Sequence, residues 1–210
     1  MPKSTKAPLQ IRRSNADSDG ALAALKRILK SAPQDLWLDT IRRADIKTHG
    51  ELICWMLDQT ECDFAVAVHG FYHSDPAHHL DNPKPLPSRS APGQVFAQVL
   101  INWDKGYYRS HKLQVEMRDA HPRVIAKINQ KSMARPRGSL PFTIPARLLN
   151  PSGGEPLNLP PYMSPDDAAH LWPIYNALGL RVPAAAPGLP RRMAKARTII
   201  DKIAFRTNRS

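Results

Sequence analysis

The placement of proline constrains this chain more than any other feature. Its 210 residues include 21 prolines, and they crowd into residues 74–93, 136–162 and 183–190. Proline lacks an amide hydrogen and fixes φ, so neither a helix interior nor a central strand runs through such clusters. Residues 74–93 and 136–162 therefore read as surface loops and 183–190 as a linker. The sequence between them carries helical periodicity.

Leu22, Leu25, Ile28 and Leu29 recur at three- and four-residue spacing, opposite Lys26, Arg27 and Lys30. A second helix begins near Pro33, turns Leu36, Trp37 and Ile41 inward, and places Arg42 and Arg43 at its negative dipole end. Thr48-His49-Gly50-Glu51 has the form of a capping box opening a third helix, which stops near Gln59. The fourth, from Asp63 through Phe71, is apolar almost all round and belongs at the centre of the core. Val95, Phe96, Val99, Leu100 and Trp103 stripe a helix that starts at Gly93 and ends at Gly106. A further helix spans 119–134, and Ser164-Pro165-Asp166-Asp167 starts another that stops at Gly179. Leu113, Val115 and Met117 alternate with polar residues, the only sign of a short strand or hairpin. The fold class is therefore mainly α: a compact multi-helix domain with proline-rich surface loops. The expected organisation is a flexible basic tail (1–16), one helical domain (17–182), the linker (183–190) and a basic amphipathic C-terminal helix (191–210).

A chain of this length buries a core without staples. Its two cysteines, Cys54 and Cys62, make no disulfide framework and read as buried apolar groups of a reducing compartment. No run approaches the ~20 apolar residues of a membrane helix. The polar N-terminus resembles no secretory signal, so the expected location is the cytoplasm. Charge is uneven. Residues 1–100 hold 12 Lys/Arg against 11 Asp/Glu, whereas residues 101–210 hold 18 against 7. An excess of this kind attracts an acidic partner, whether nucleic acid, membrane surface or acidic protein.

Trp55-Met56-Leu57, Gln59, Cys62-Asp63, Ala65, Ala67, Phe71 and Gly106-Tyr107-Tyr108 together resemble the pattern of a small helical bacterial domain family (domain of unknown function 4274). The resemblance covers residues 33–116. The asparagine/tryptophan-rich stretch of that pattern is replaced here by Ala-Asp-Ile-Lys-Thr-His-Gly at 44–50. What the resemblance implies is a helical bacterial domain. It carries over no chemistry.

Two groups of side chains invite a functional reading. His69 and His73 lie four apart on a predicted helix, followed by Asp75, His78, His79 and Asp81. Imidazoles and carboxylates at such spacing are zinc ligands in other proteins. His69-Gly70-Phe71-Tyr72-His73 nevertheless lacks the glutamate base of the zinc-hydrolase helix. The expectation is no metal and no cofactor. Cys62 has Asp63 beside it, which opposes a thiolate, and no phosphate-binding, dinucleotide or nucleophile-elbow motif is present. These features weigh against an enzyme.

The second group is basic: Arg109, Lys127, Lys131, Arg135 and Arg137, then Arg191, Arg192, Lys195 and Arg197 on the final helix. Tyr107 and Tyr108 beside Arg109 offer base-stacking surfaces. The sequence thus points to a non-enzymatic binding or regulatory protein engaging an acidic protein partner, in a setting such as bacterial conflict or immunity. Sequence-independent nucleic-acid binding is the second reading, and a metal-dependent enzyme using His69 and His73 the third.

Overall fold

The computed structural model describes residues 15–182, apart from 88, 137 and 158–164. Among the described residues the chain forms α1 (Asn15–Ser31), α2 (Gln34–Arg43), α3 (Ile46–Leu57), α4 (Phe64–His73), α5 (Pro76–Asp81), α6 (Ala91–Asp104), α7 (Pro122–Met133), α8 (Ala146–Leu149) and α9 (Pro165–Leu178). No strand occurs among them, and the fold is a mainly-α compact domain. Nor is any described helix long and apolar enough to cross a membrane. The linker 183–190 and the helix expected at 191–210 lie outside the described residues, and with them Arg191, Arg192, Lys195 and Arg197. So do Arg137 and residues 1–14; residues 15–16 of the expected tail belong to α1.

α4 is the hub. Every residue from Phe64 to Tyr72 is buried, and only His73 emerges. α2, α3 and α6 surround it, α3 also packs along α6, and α1 lies against α9. Gly70 permits the close approach of α3, because a Cβ there would stand 3.1 Å from the Leu57 methyl carbon. Asp63 begins α4, as its sequence position predicts, by accepting from the Ala65 amide at 2.9 Å. Its other oxygen accepts from the Ser110 hydroxyl at 2.7 Å and the Lys112 amide at 2.9 Å. The same carboxylate therefore caps α4 and ties down the strap that follows α6.

Four sequence expectations are corrected. The strand at 113–117 is a single parallel bridge between Leu113 and Glu155. Leu113 is buried, Val115 half-buried and Met117 68% exposed, so the alternation reflects one anchored residue rather than a sheet face. Residues 74–93 are not all loop. Asp75 accepts from the His78 amide and Pro76 takes the first turn, so α5 arises inside the proline-rich stretch. α6 likewise starts at Ala91, capped by Ser90, whose hydroxyl accepts from the Gly93 amide at 3.2 Å. Residues 136–162 contain the short α8. Finally, α3 is opened by Asp45, which accepts from the Lys47 and Thr48 amides at 3.0 and 3.1 Å. The Thr48 hydroxyl donates to that carboxylate, and Glu51 pairs with Lys26 instead of closing a capping box. The helix kinks at His49.

α9 starts at Pro165 as expected and is held at several points. Tyr175 shares a 2.7 Å hydroxyl hydrogen bond with Thr40, and a His49 ring nitrogen lies 3.0 Å from the Leu178 carbonyl oxygen. Arg43 pairs with Asp39, donates to the Arg181 carbonyl and lies over the Trp172 and Tyr175 rings.

Candidate functional site

The four histidines that sequence reading singles out do converge. His69, His73, His78 and His79 line one open cleft of about 460 Å³ between α2, the kinked start of α3, α4 and α5. Helical spacing makes neighbours of the first two, whose rings stack with centroids 4.0 Å apart. α5 brings the second two, and His79 stacks on Phe96 at 4.3 Å. Among the described residues, however, no group of three or more His, Cys, Asp or Glu side chains is arranged to hold a metal ion. One nitrogen of each α4 histidine is engaged elsewhere. His73 Nε2 lies 2.9 Å from the Arg118 carbonyl oxygen, and His69 Nδ1 lies 2.9 Å from Asp119 Oδ1.

Asp119 organises this cleft. It is fully buried and accepts a two-pronged hydrogen bond from Arg42, Nε to Oδ1 at 2.8 Å and Nη2 to Oδ2 at 2.5 Å. The Glu116 amide also donates to Oδ2, at 2.9 Å. Burial alone would raise the pKa of Asp119, but the Arg42 and His69 hydrogen bonds and the guanidinium charge hold it far below the usual carboxylate range. His69 responds in the opposite direction. Burial disfavours its cation and outweighs the hydrogen bond to Asp119, bringing its pKa down to about 4. At neutral pH the contact is therefore a hydrogen bond from His69 Nδ1–H to a carboxylate. The tautomer follows: Nε2 carries a lone pair.

Two buried atoms on this cleft's residues lack hydrogen-bond partners among the described residues: Arg42 Nη1 and His79 Nε2. The Arg42 side chain is only 5% exposed. Sequence reading treats Arg42 as a cation suited to a helix C-terminus and gives Asp119 no role. One signal was available, since Glu116 and Asp119 are the only acids between Lys105 and Arg147. Asp119 turns inward onto Arg42, and half-buried Glu116 bridges Arg42 at 3.2 Å and the exposed Arg118 at 3.0 Å.

That inward turn shapes the second candidate region. Arg109 and Lys127 are exposed as expected, together with Lys105, Lys112, Arg118, Arg123 and Arg147. Arg109 Nε donates back to the Gly106 carbonyl at 2.8 Å. Lys131 and Arg135 are half-buried and join α7 to α5, Lys131 through an ion pair to Asp81 and Arg135 by donating to the Leu80 carbonyl. The proposed stacking tyrosines are committed to the core. Tyr108 is buried and donates to the Leu57 carbonyl at 2.8 Å, while Tyr107 is half-buried. Both cysteines have thiols pushed upward by burial, Cys62 strongly, which suits packing rather than nucleophilic attack.

Comparison with family models, curated proteins and solved structures returns no match.

Proposed function

We propose that this is a non-enzymatic binding protein whose helical core presents a basic face to an acidic protein partner. One observation carries the reading: of the two acids in the 105–147 segment Asp119 is buried and Glu116 is half-buried between Arg42 and Arg118, whereas most of the segment's cations are exposed. The described face formed by α7 and its approach therefore keeps a net positive charge, since Glu116 and Asp81 offset Arg118 and Lys131 and the remaining exposed cations outnumber these acids. It also has an apolar component. Met117, Val124 and Met133 are exposed beside Arg118, Arg123 and Lys131. Flexible methionines among cations suit a protein surface that combines charge with apolar contact. Nucleic acid would draw more on stacking aromatics, and the tyrosines of this segment serve the core.

Arg123 and Lys127 are the residues to test, because both are exposed on α7. Arg123→Glu/Lys127→Glu should leave the helical circular dichroism spectrum unchanged and weaken partner capture by at least tenfold. Capture would be measured by pull-down from native cells after nuclease treatment, then repeated with the purified partner over a salt series. Loss of the captured material on nuclease treatment would replace this reading with nucleic-acid binding. Capture that survives charge reversal would remove the basic face from the interaction.

A further inference from the structure

We infer that the outer face of α7 is a docking ridge for an acidic amphipathic helix of the partner protein. The inference rests on the basic-face reading given above and adds to it the shape of the element that the face receives.

α7 is an outlying helix. Of its 12 residues only Ile128 is buried, and its main helical neighbours among the described residues are α5 and the short α8. Three polar ties hold it against them. Lys131 pairs with Asp81, Arg135 donates to the Leu80 carbonyl, and the Asn129 side-chain amide donates to the Leu149 carbonyl at 3.0 Å. These ties engage the inner flanks of the helix and leave Arg123, Ala126, Lys127 and Gln130 exposed as a row along its outer side. The helix is about 18 Å long, enough to seat three turns of another helix.

Positions i, i+3, i+4 and i+7 are the four that surround one hole when helix packs on helix. Here Ala126 is the floor of that hole, because it bears a single methyl while the side chains of Arg123, Lys127 and Gln130 are long. A leucine-sized knob fits over it. Arg123 and Lys127 stand one turn apart at the edge of the hole, so carboxylates one turn to either side of the knob would meet both. Val124, 38% exposed, and Met133, 86% exposed, lie nine residues apart and so on opposite sides of the row. They extend apolar contact to both margins of a broad partner face. An extended acidic peptide would meet the charges and leave the hole unfilled. Nucleic acid has no stacking partner on this helix, since α7 contains no aromatic residue.

The decisive experiment follows backbone amide and alanine methyl NMR signals of the full chain during titration with three probes. These are a synthetic Leu/Glu/Ala peptide whose leucines recur at helical spacing, a scrambled peptide of the same composition, and a single-stranded oligonucleotide. The amphipathic peptide should shift Ala126, Lys127 and Gln130 saturably, gain helical circular dichroism on binding, and bind about tenfold more tightly than its scramble. Ala126→Arg adds positive charge while filling the floor of the hole. It should weaken the amphipathic peptide about tenfold, whereas attraction by charge alone would strengthen binding. Equal affinity for the two peptides, or tighter binding to Ala126→Arg, would overturn the helical partner and leave the acidic-partner reading in place. Absence of saturable shifts, or shifts confined to residues outside α7, would overturn the docking ridge. Larger α7 shifts with the oligonucleotide would overturn both the ridge and the acidic-partner reading. The peptide comparison uses the unaltered protein, so it decides the matter whether or not the variant folds.

Discussion

At the scale of the residue, His69 shows how one burial decision propagates. Its folded pKa of about 4 lies below the ordinary 6.5, so the unfolded chain binds a proton more readily than the folded one. Stability from this group is full above pH 6.5 and falls as pH drops toward 4, by roughly 3 kcal/mol at most. His79 and His111 are also depressed, chiefly by burial, and act in the same direction. Asp119, whose carboxyl is held below its ordinary 3.8, adds a further loss of stability only as pH falls below about that value. Urea unfolding midpoints measured from pH 7 to 4 should thus decline steadily. His69→Gln retains an N–H for Asp119 without titrating, and should flatten much of that decline. An identical slope in the variant would assign the pH response elsewhere. The stacking of His69 on His73 was legible from their spacing, because one helical turn makes such residues neighbours. Asp119 lies 50 residues beyond His69 in sequence, and no local pattern announces a contact across that separation.

At the scale of the element, legibility followed local chemistry. Asp63 marks the start of α4 because a carboxylate before an apolar run satisfies first-turn amides wherever it occurs. Proline clusters misled in a physically clear way. Composition weighs Pro76 as a breaker, yet in a first turn its missing amide costs nothing, and Asp75 supplies the cap. At α3 two caps competed, and Asp45 prevailed over Thr48 with the chain kinking at His49. The second role of Asp63, anchoring Ser110 and Lys112, was beyond sequence reading for the same reason as Asp119. It makes a strong prediction. Asp63→Asn puts an amide nitrogen where one carboxylate oxygen accepts, facing N–H or O–H donors at 2.7–2.9 Å. The cost should be about 2–4 kcal/mol in denaturant unfolding. A change below about 0.5 kcal/mol would mean that these bonds add nothing beyond what water provides.

For the molecule as a whole, formal charge and surface charge part company. The sequence carries a net +12, and its uneven distribution was readable directly. Its expression at the surface was not, because that depends on which acids the fold withdraws. Asp119 is withdrawn onto Arg42, Glu116 is shared between Arg42 and Arg118, and Asp81 stays at the surface as the partner of Lys131. The proposed binding face is therefore a product of folding as much as of composition: the same interaction that builds the histidine cleft also removes countercharge from the neighbouring surface.

The attachment of α9 has a consequence for the order of assembly. α3, α4 and α6 are close neighbours along the chain and pay little loop-closure entropy to meet. The Thr40–Tyr175 contact spans 135 residues, and α1 meets α9 across a comparable interval. Native-state hydrogen exchange should consequently find α9 amides opening at lower free energy than those of α4, which exchange only on global unfolding. Equal protection of the two helices would mean that the chain closes its longest loop in the same cooperative event that forms its centre. On the expected ordering, α9 is a clasp: fastened last, released first, and able to loosen the mouth of the histidine cleft through Arg181 before the core itself gives way.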